Sequence, residues 1–310
     1  MSVFHTISQK LVSRTPHLNW EDPIIINPRR NDHQHTIILL HDFNSTAEPF
    51  MRDFIDTTRI PHDLPTVRFI FPTAKADTSG VLKQHKGPYQ WFRVRDPYDP
   101  NVDTDGQIPG LKETSAYLRV LIAQEARRLE DLDRPSKNRG YDRVIIGGLG
   151  QGAAAALFTL LGMEQTLGGF IGMGGWLPFE AEMAALIREA NAVPVEKGHK
   201  IKETGSVKVQ IQKLVRGVLD VDVCDPQSTL QLETPIFLAH GDQDRTTWIG
   251  HGQRMREVLD SWDGLGMTVI WKEYSGFGHC WKPHGKEPKD HDVTKFLRLV
   301  VGVHARAFLD

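Results

Sequence analysis

An aspartate and a histidine in the C-terminal part of the chain, Asp244 and His279, each follow an apolar segment. The side chains of these two residue types can share a proton when they lie close together. Asp244 comes after the apolar run at 235–239, and His279 comes after the run at 268–274. An imidazole beside a carboxylate is a general acid–base pair, because the carboxylate orients the ring and stabilises its protonated form. The pair predicts proton-transfer chemistry.

A glycine-rich turn between a strand and a helix is the third candidate for chemistry. The apolar run at 144–148 leads into Gly148-Leu149-Gly150-Gln151-Gly152, and an alanine-rich helical segment follows. This strand-turn-helix arrangement lifts its middle residue above the sheet edge, where a nucleophile can stand. Here the middle residue is Gly150, which tolerates strained dihedral angles but has no hydroxyl or thiol. Taken alone, the segment is also compatible with a glycine-rich turn that has no catalytic role.

The elements that would position these residues alternate between strands and helices along the chain. Such alternation predicts an α/β fold with a mostly parallel, twisted sheet and helices on both faces, here as one domain over residues 1–310. Ligands bind beyond the carboxyl ends of strands in such sheets, so the three motifs are expected to converge. Predicted strands are 23–27, 36–40, 67–71, 143–147, 170–174, 235–239 and 268–274, and predicted helices are 50–57, 114–129, 151–161, 179–190, 207–215, 248–262 and 293–309.

Two segments interrupt the alternation. Residues 75–110 are rich in proline and contain Trp91 and Phe92, so they form either a surface excursion or a wall of the binding site. Residues 180–230 form a predicted helical insertion within the domain. That insertion is either a lid or a peripheral decoration.

Composition excludes several classes of protein. A net charge of -2 gives no basic excess for nucleic acid. No apolar run reaches the length of a membrane helix, and no signal peptide is recognisable, so we expect a cytoplasmic protein without an integral membrane segment. The histidines show no common metal-ligand spacing, and neither a metal nor a cofactor is predicted. The sequence does not specify an oligomeric state.

Six short segments, spread over residues 36–279 in one order, resemble the carboxylesterase, lysophospholipase and acyl-protein thioesterase group of α/β-hydrolases. The resemblance implies phospholipase-like cleavage of acyl esters or thioesters, on small molecules or acylated proteins, through an acyl-enzyme and without a cofactor. The segments are Ile38-Leu39-Leu40-His41-Asp42-Phe43-Asn44-Ser45, Phe71-Pro72-Thr73-Ala74, Gln90-Trp91-Phe92, 147–153, 240–244 and 276–279.

The resemblance also implies a role for each matched residue. Gly150 stands at the position of the serine nucleophile, Asp244 at the triad acid and His279 at the triad base. The backbone N–H groups of Phe43 and Gln151 correspond to the oxyanion hole. The predicted substrate pocket contains His41, Asp42, Trp91 and Phe92.

The chain departs from the family pattern at two important positions. Asp42 stands where glycine is common, and a carboxylate pointing inward there would disfavour an oxyanion. Gly150 leaves three functions open. The chain is a hydrolase inactivated at its nucleophile that traps substrate, a natural serine-free enzyme with His279–Asp244 as general base in a lyase- or cyclase-like reaction, or a non-catalytic binding protein.

Overall fold

The computed structural model describes residues 20–29, 32–76, 88–96, 98–130, 138–192, 206–225, 227–284 and 291–303. The described residues form nine strands, and all except those at 75–76 and 89–90 form from the apolar runs of the sequence, as predicted. They are β1 Ile24–Ile26, β2 His35–Leu40, β3 Val67–Phe71, β4 Lys75–Ala76, β5 Tyr89–Gln90, β6 Val144–Leu149, β7 Gly169–Met173, β8 Ile236–Gly241 and β9 Val269–Tyr274.

Seven of these strands form one twisted sheet in the described part of the chain, in the order β1-β3-β2-β6-β7-β8-β9. Strand β1 pairs antiparallel with β3, and every other pairing in this sheet is parallel. Parallel strands covered on both faces need no polar alternation, and β2, β3, β6, β7 and β8 are buried along their whole length.

Helices cover both faces of the sheet, which confirms the predicted fold class. Alternate residues of each strand point to opposite faces, so Ile37 and Leu39 pack into one core while Ile38 and Leu40 pack into the other. The helices are α1 Ala47–Thr58, α2 Ile60–Asp63, α3 Ile108–Leu129, α4 Gln151–Gly162, α5 Glu180–Ala192, α6 Val207–Leu219, α7 Ile249–Asp260 and α8 Asp292–Leu299.

Two sequence-based boundaries need correction. The segment at 75–110 was predicted to be irregular, but its described residues include the antiparallel pair β4–β5, a 3₁₀ helix at Thr104–Gln107 and the start of α3. The last helix was predicted to run to residue 309, but α8 ends at Leu299. The chain turns there through Gly302, whose φ of 80° lies in the left-handed region. The remainder of that prediction, residues 304–309, lies outside the described residues.

The predicted insertion at 180–230 contains α5 and α6, and its charged stretch at 197–202 lies outside the described residues. Helix α6 buries Ile211 and Val215 completely. Both side chains belong to the core cluster that α3 and α4 also build. Helix α6 therefore belongs to the helical layer on one face of the sheet.

Among the described helices, none is both long enough and apolar enough to cross a membrane.

Candidate active site

The three predicted catalytic positions meet at the carboxyl edge of the sheet. Gly150 follows β6, Asp244 follows β8 and His279 follows β9. A fourth residue, Asp42, reaches the same place from the loop after β2, which is hydrogen-bonded directly to β6. In a parallel sheet, the loops that follow the strands lie at the same edge, which explains why residues far apart in sequence converge.

The turn at Gly150 has the geometry of an elbow that presents a side chain. Its φ of 54° and ψ of -121° are strained for any residue with a Cβ atom. The strand and helix on either side pass very close to β2 and its loop. A Cβ on Gly148 would lie 2.4 Å from the carbonyl oxygen of Leu40, and one on Gly152 would lie 2.4 Å from that of His41. The local fold therefore requires the flanking glycines.

The space beside Gly150 is filled by the carboxylate of Asp42. A Cβ built on Gly150 would lie 2.0 Å from Asp42 Oδ1 and 2.9 Å from His279 Nε2. Asp42 Oδ1 also accepts a 2.7 Å hydrogen bond from the backbone N–H of Gln151, the predicted oxyanion donor. A side chain of the protein therefore occupies the space that a nucleophilic side chain on residue 150 would need.

His279 lies between two carboxylates. Its Nδ1 is 2.7 Å from Asp244 Oδ2, and its Nε2 is 3.1 Å from Asp42 Oδ2. An imidazole donates from both nitrogens only when it is protonated. Burial opposes that charge, but the hydrogen bonds to the two carboxylates outweigh burial and raise the pKa of His279 to about 9. His279 is an imidazolium at neutral pH, paired with Asp42.

Asp244 is fixed by several donors at once. Its Oδ1 accepts the backbone N–H groups of Thr246 and Thr247, each at 2.8 Å. Its Oδ2 faces His279 and also the fully buried His240, at 3.3 Å. Burial alone would disfavour the charged carboxylate, but the hydrogen bonds from His240 and His279 hold the pKa of Asp244 well below its usual range.

The predicted pocket residues other than Asp42 lie behind the site. His41 is fully buried, and its Nδ1 bonds to the carbonyl of Asp42 (2.7 Å) while its Nε2 accepts the backbone N–H of Ala74 (2.9 Å). Burial lowers the pKa of His41 to about 4, so the ring is neutral. Trp91 and Phe92 are 2% and 1% exposed. This burial favours a supporting role for all three side chains over the predicted contact with substrate.

The side chain of Gln151 joins the elbow to that supporting wall. Its Oε1 accepts the backbone N–H of Trp91, and its Nε2 donates to the carbonyl of Phe92, both at 2.9 Å. The indole N–H of Trp91 in turn donates to the carbonyl of His41 at 2.8 Å. The segment around Trp91 is therefore attached both to α4 and to the loop that carries Asp42.

Phe43, the other predicted oxyanion residue, follows Asp42 in the same loop, and 44% of its surface is exposed. The next residue, Asn44, has a φ of 56° and donates its backbone N–H to the carbonyl of Tyr89 at 2.8 Å. The loop after β2 is thus bonded to β5.

The sequence did not reveal His240 or Gly174 as parts of the site. Gly174 directly follows β7 and has a φ of 57°, and a Cβ there would lie 3.1 Å from both Asp244 and His279. His240 lies near the end of β8, four residues before Asp244. It begins the segment 240–244 that resembles the family, so the sequence contained a signal for it. In the described residues, no group of three or more histidine, cysteine, aspartate or glutamate side chains has an arrangement suited to a metal ion.

Comparison with known proteins gives relatives over most of the chain. An acyl-protein thioesterase 1 of Gibberella zeae is 24% identical over 280 residues, which cover 88% of this chain and 94% of the relative. One from Yarrowia lipolytica is 24% identical over 257 residues, covering 83% and 89%.

Solved structures share the fold. Acyl-protein thioesterase 2 of Zea mays matches with a TM-score of 0.57 and 20% identity, covering 92% of this chain and all of that one. Esterase PE8 matches with a TM-score of 0.54 and 17% identity, covering 89% and 97%.

The model of the phospholipase/carboxylesterase family matches residues 21–220, from the residues before β1 through the end of α6. The match includes the loop with Asp42 and the elbow at Gly150. The chain therefore belongs to the phospholipase/carboxylesterase family of α/β-hydrolases.

Proposed function

We propose that the chain is a serine-free acid–base enzyme on the carboxylesterase/thioesterase scaffold. The observation that carries this proposal is the ion pair between Asp42 and His279, at 3.1 Å, in the space where a side chain on residue 150 would stand. Asp244 holds the other side of the His279 ring. The two carboxylates and the imidazolium can transfer a proton to or from a ligand without a hydroxyl group.

Two observations argue against an acyl-enzyme at position 150. Gly150 has no side chain to acylate, and the backbone N–H of Gln151 already donates to Asp42. An oxyanion hole stabilises the transition state only when its donors are free to meet the developing charge. A substrate carbonyl would have to displace a charged carboxylate from that donor.

Family membership supports acyl esters or thioesters, as small molecules or on proteins, as the class of molecule that the site binds. The relatives are named for acyl-protein thioester cleavage. On this chain we propose that such molecules are bound and are not cleaved through residue 150. The filled space beside Gly150 also disfavours a simple inactivated hydrolase, since an empty space is what removal of a serine side chain would leave.

The proposal is tested by restoring the nucleophile with and without Asp42. The variants are Gly150→Ser, Asp42→Gly and the double variant, assayed on p-nitrophenyl acetate, p-nitrophenyl octanoate and a fluorophosphonate that labels active serines. Gly150→Ser alone is expected to gain little, because its Cβ and hydroxyl meet the Asp42 carboxylate. The double variant is expected to gain labelling and at least about 100-fold in hydrolysis, since loss of a serine nucleophile costs roughly 10⁶ in kcat.

His279→Ala added to the double variant is the control, and it should abolish the gain. Strong labelling of Gly150→Ser while Asp42 is present would show that Asp42 does not occupy the nucleophile position. Covalent labelling of the unmodified chain would contradict the serine-free site.

A further inference from the structure

His240 is a polar ring on a strand face that otherwise packs into the core. Ile236 and Leu238 of β8 point to the same face and belong to the core cluster that includes residues of α7. His240 is fully buried there, and a Cβ on Gly252 of α7 would lie 2.6 Å from its Nδ1, so a glycine leaves room for the imidazole. Burying an imidazole costs free energy unless the ring forms a hydrogen bond, which indicates a specific partner for this ring.

The partner of His240 is the loop that carries Asp244. Nε2 of His240 is 2.8 Å from the carbonyl oxygen of Thr247. A carbonyl oxygen only accepts, so Nε2 carries a hydrogen and donates it to Thr247. Among the residues that the structure describes, none bonds to Nδ1 of His240. The ring therefore acts through Nε2, and it connects the end of β8 to a residue seven positions later.

This connection fixes the peptide groups that hold the carboxylate of Asp244. Oδ1 of Asp244 accepts the backbone N–H groups of Thr246 and Thr247, each at 2.8 Å. These bonds hold the carboxylate in place only if the loop that donates them is itself held. The bond from His240 holds that loop, because β8 lies inside the sheet between β7 and β9.

The two histidine rings also meet at one oxygen atom. Oδ2 of Asp244 lies 3.3 Å from Nε2 of His240 and 2.7 Å from Nδ1 of His279. A displacement of Asp244 would therefore change its distance from His279. His279 needs this bond at Nδ1 so that its Nε2 stays directed at Asp42.

We propose that His240 is a positioning residue, which holds the carboxylate of Asp244 where its Oδ2 meets Nδ1 of His279. The inference rests on the proposed acid–base role of His279 and goes beyond it by naming the group that keeps Asp244 in place. The side chain of His240 has no exposed surface, so it acts through Asp244 and not on a ligand.

Replacing the ring tests the inference through the titration of His279. His240→Phe keeps a ring but loses the donor, so Asp244 should move and bond His279 less well. Ring-carbon NMR should show His279 titrating at least about 0.5 pH unit below its value of about 9 in the unmodified chain. His240→Gln, whose amide can donate from nearly the same position as Nε2, should return the titration to within about 0.2 unit of that value.

His251→Phe is the matched control. His251 lies on α7, is 6% exposed, and bonds through its Nε2 to the backbone carbonyl of Tyr98 at 3.0 Å. Its replacement disturbs the same helix and removes a similar bond, but leaves the described partners of Asp244 in place. Both Phe variants should unfold at lower temperature than the unmodified chain, and only His240→Phe should change the titration of His279. An unchanged or higher titration in His240→Phe, or an equal fall in His251→Phe, would overturn the inference.

Nitrogen-15 NMR of the unmodified chain gives a test that does not depend on any variant folding. His240 should carry its hydrogen on Nε2, and the signal of that proton should move as His279 titrates near pH 9, because both rings share Oδ2 of Asp244. An Nε2 without hydrogen, or a signal that stays fixed over pH 7–11, would also overturn the inference. Neither result changes the outcome of the serine-restoration experiment, so failure of the inference and failure of the proposed function are distinguishable.

Discussion

At the scale of single residues, the contact between Asp42 and His279 decides the charge of the site. A neutral histidine at a triad position is a base, whereas His279, bonded on both sides by carboxylates, is an acid. The change follows from one side chain in the loop after β2. The sequence showed that Asp42 departs from the family pattern, but the consequence depends on where its carboxylate points.

The raised pKa of His279 makes stability depend on pH. A group with a folded-state pKa near 9 and an ordinary value of 6.5 stabilises the fold fully below pH 6.5, and this contribution is lost as pH rises through 9. Urea unfolding of the unmodified chain should show a loss of about 3 kcal/mol between pH 6 and pH 10. Asp42→Asn should make that dependence shallower, and an equal pH dependence in both proteins would contradict the ion pair.

Gly150 should resist even the smallest side chain. Gly150→Ala is expected to destabilise the protein by more than the roughly 1–3 kcal/mol of backbone strain, because its Cβ also meets Asp42. Gly302→Ala is the matched control, since Gly302 also has a positive φ but has no heavy atom within 4 Å of a built Cβ. Equal losses in thermal unfolding for the two variants would exclude the clash with Asp42.

At the scale of elements, the strands were predictable and the loops that complete the site were not. The apolar runs of β2, β6 and β8 are long and bounded by polar or glycine-rich turns, so their limits differ from the predicted ones by only one or two residues. The pairing β4–β5 escaped prediction because each strand has only two residues. The end of α8 was missed because its amphipathic pattern continues past the turn at Gly302.

The attachment of α4 to the Trp91 segment depends on one amide. Gln151→Ala removes the hydrogen bonds that its side chain makes to the backbone N–H of Trp91 and to the carbonyl of Phe92. Each buried backbone group left without a partner should cost about 1–3 kcal/mol of stability. The free energy of unfolding should fall by about 2–6 kcal/mol. Gln253→Ala, at an exposed glutamine bonded to Glu273, should change it by less than about 0.5 kcal/mol. Similar values for the two variants would show that Gln151 does not anchor the segment.

We expect α6, in the segment at 180–230, to contribute to the stability of the fold, as a structural layer does and an opening lid does not. Ile211 is fully buried in the core shared with α3 and α4, so Ile211→Ala should cost about 2–5 kcal/mol in urea unfolding. Lys213→Ala on the exposed side of the same helix is the control. A loss at Ile211 of less than about 1 kcal/mol would favour a lid that opens away from the core.

At the scale of the whole molecule, the parallel sheet explains why the site could be located from sequence. Strand ends that share one edge bring Gly150, Asp244 and His279 together across more than a hundred residues, and their order along the chain is enough to predict the meeting. The fourth strand end, with Asp42, lies at the same edge. Its role was not predictable because side-chain direction in a loop depends on contacts such as the hydrogen bond to Gln151.

The proposed site requires the Asp42 carboxylate to stand in the nucleophile position and to pair with His279. This pairing can be followed through the ring carbons of His279 by NMR across pH 5–11, in the unmodified chain, in Asp42→Asn and in Asp222→Asn, an exposed control. His279 should titrate near pH 9 in the unmodified chain and in the control, and at clearly lower pH in Asp42→Asn. Titration of His279 near its ordinary value of 6.5 in all three proteins would show that Asp42 does not pair with His279.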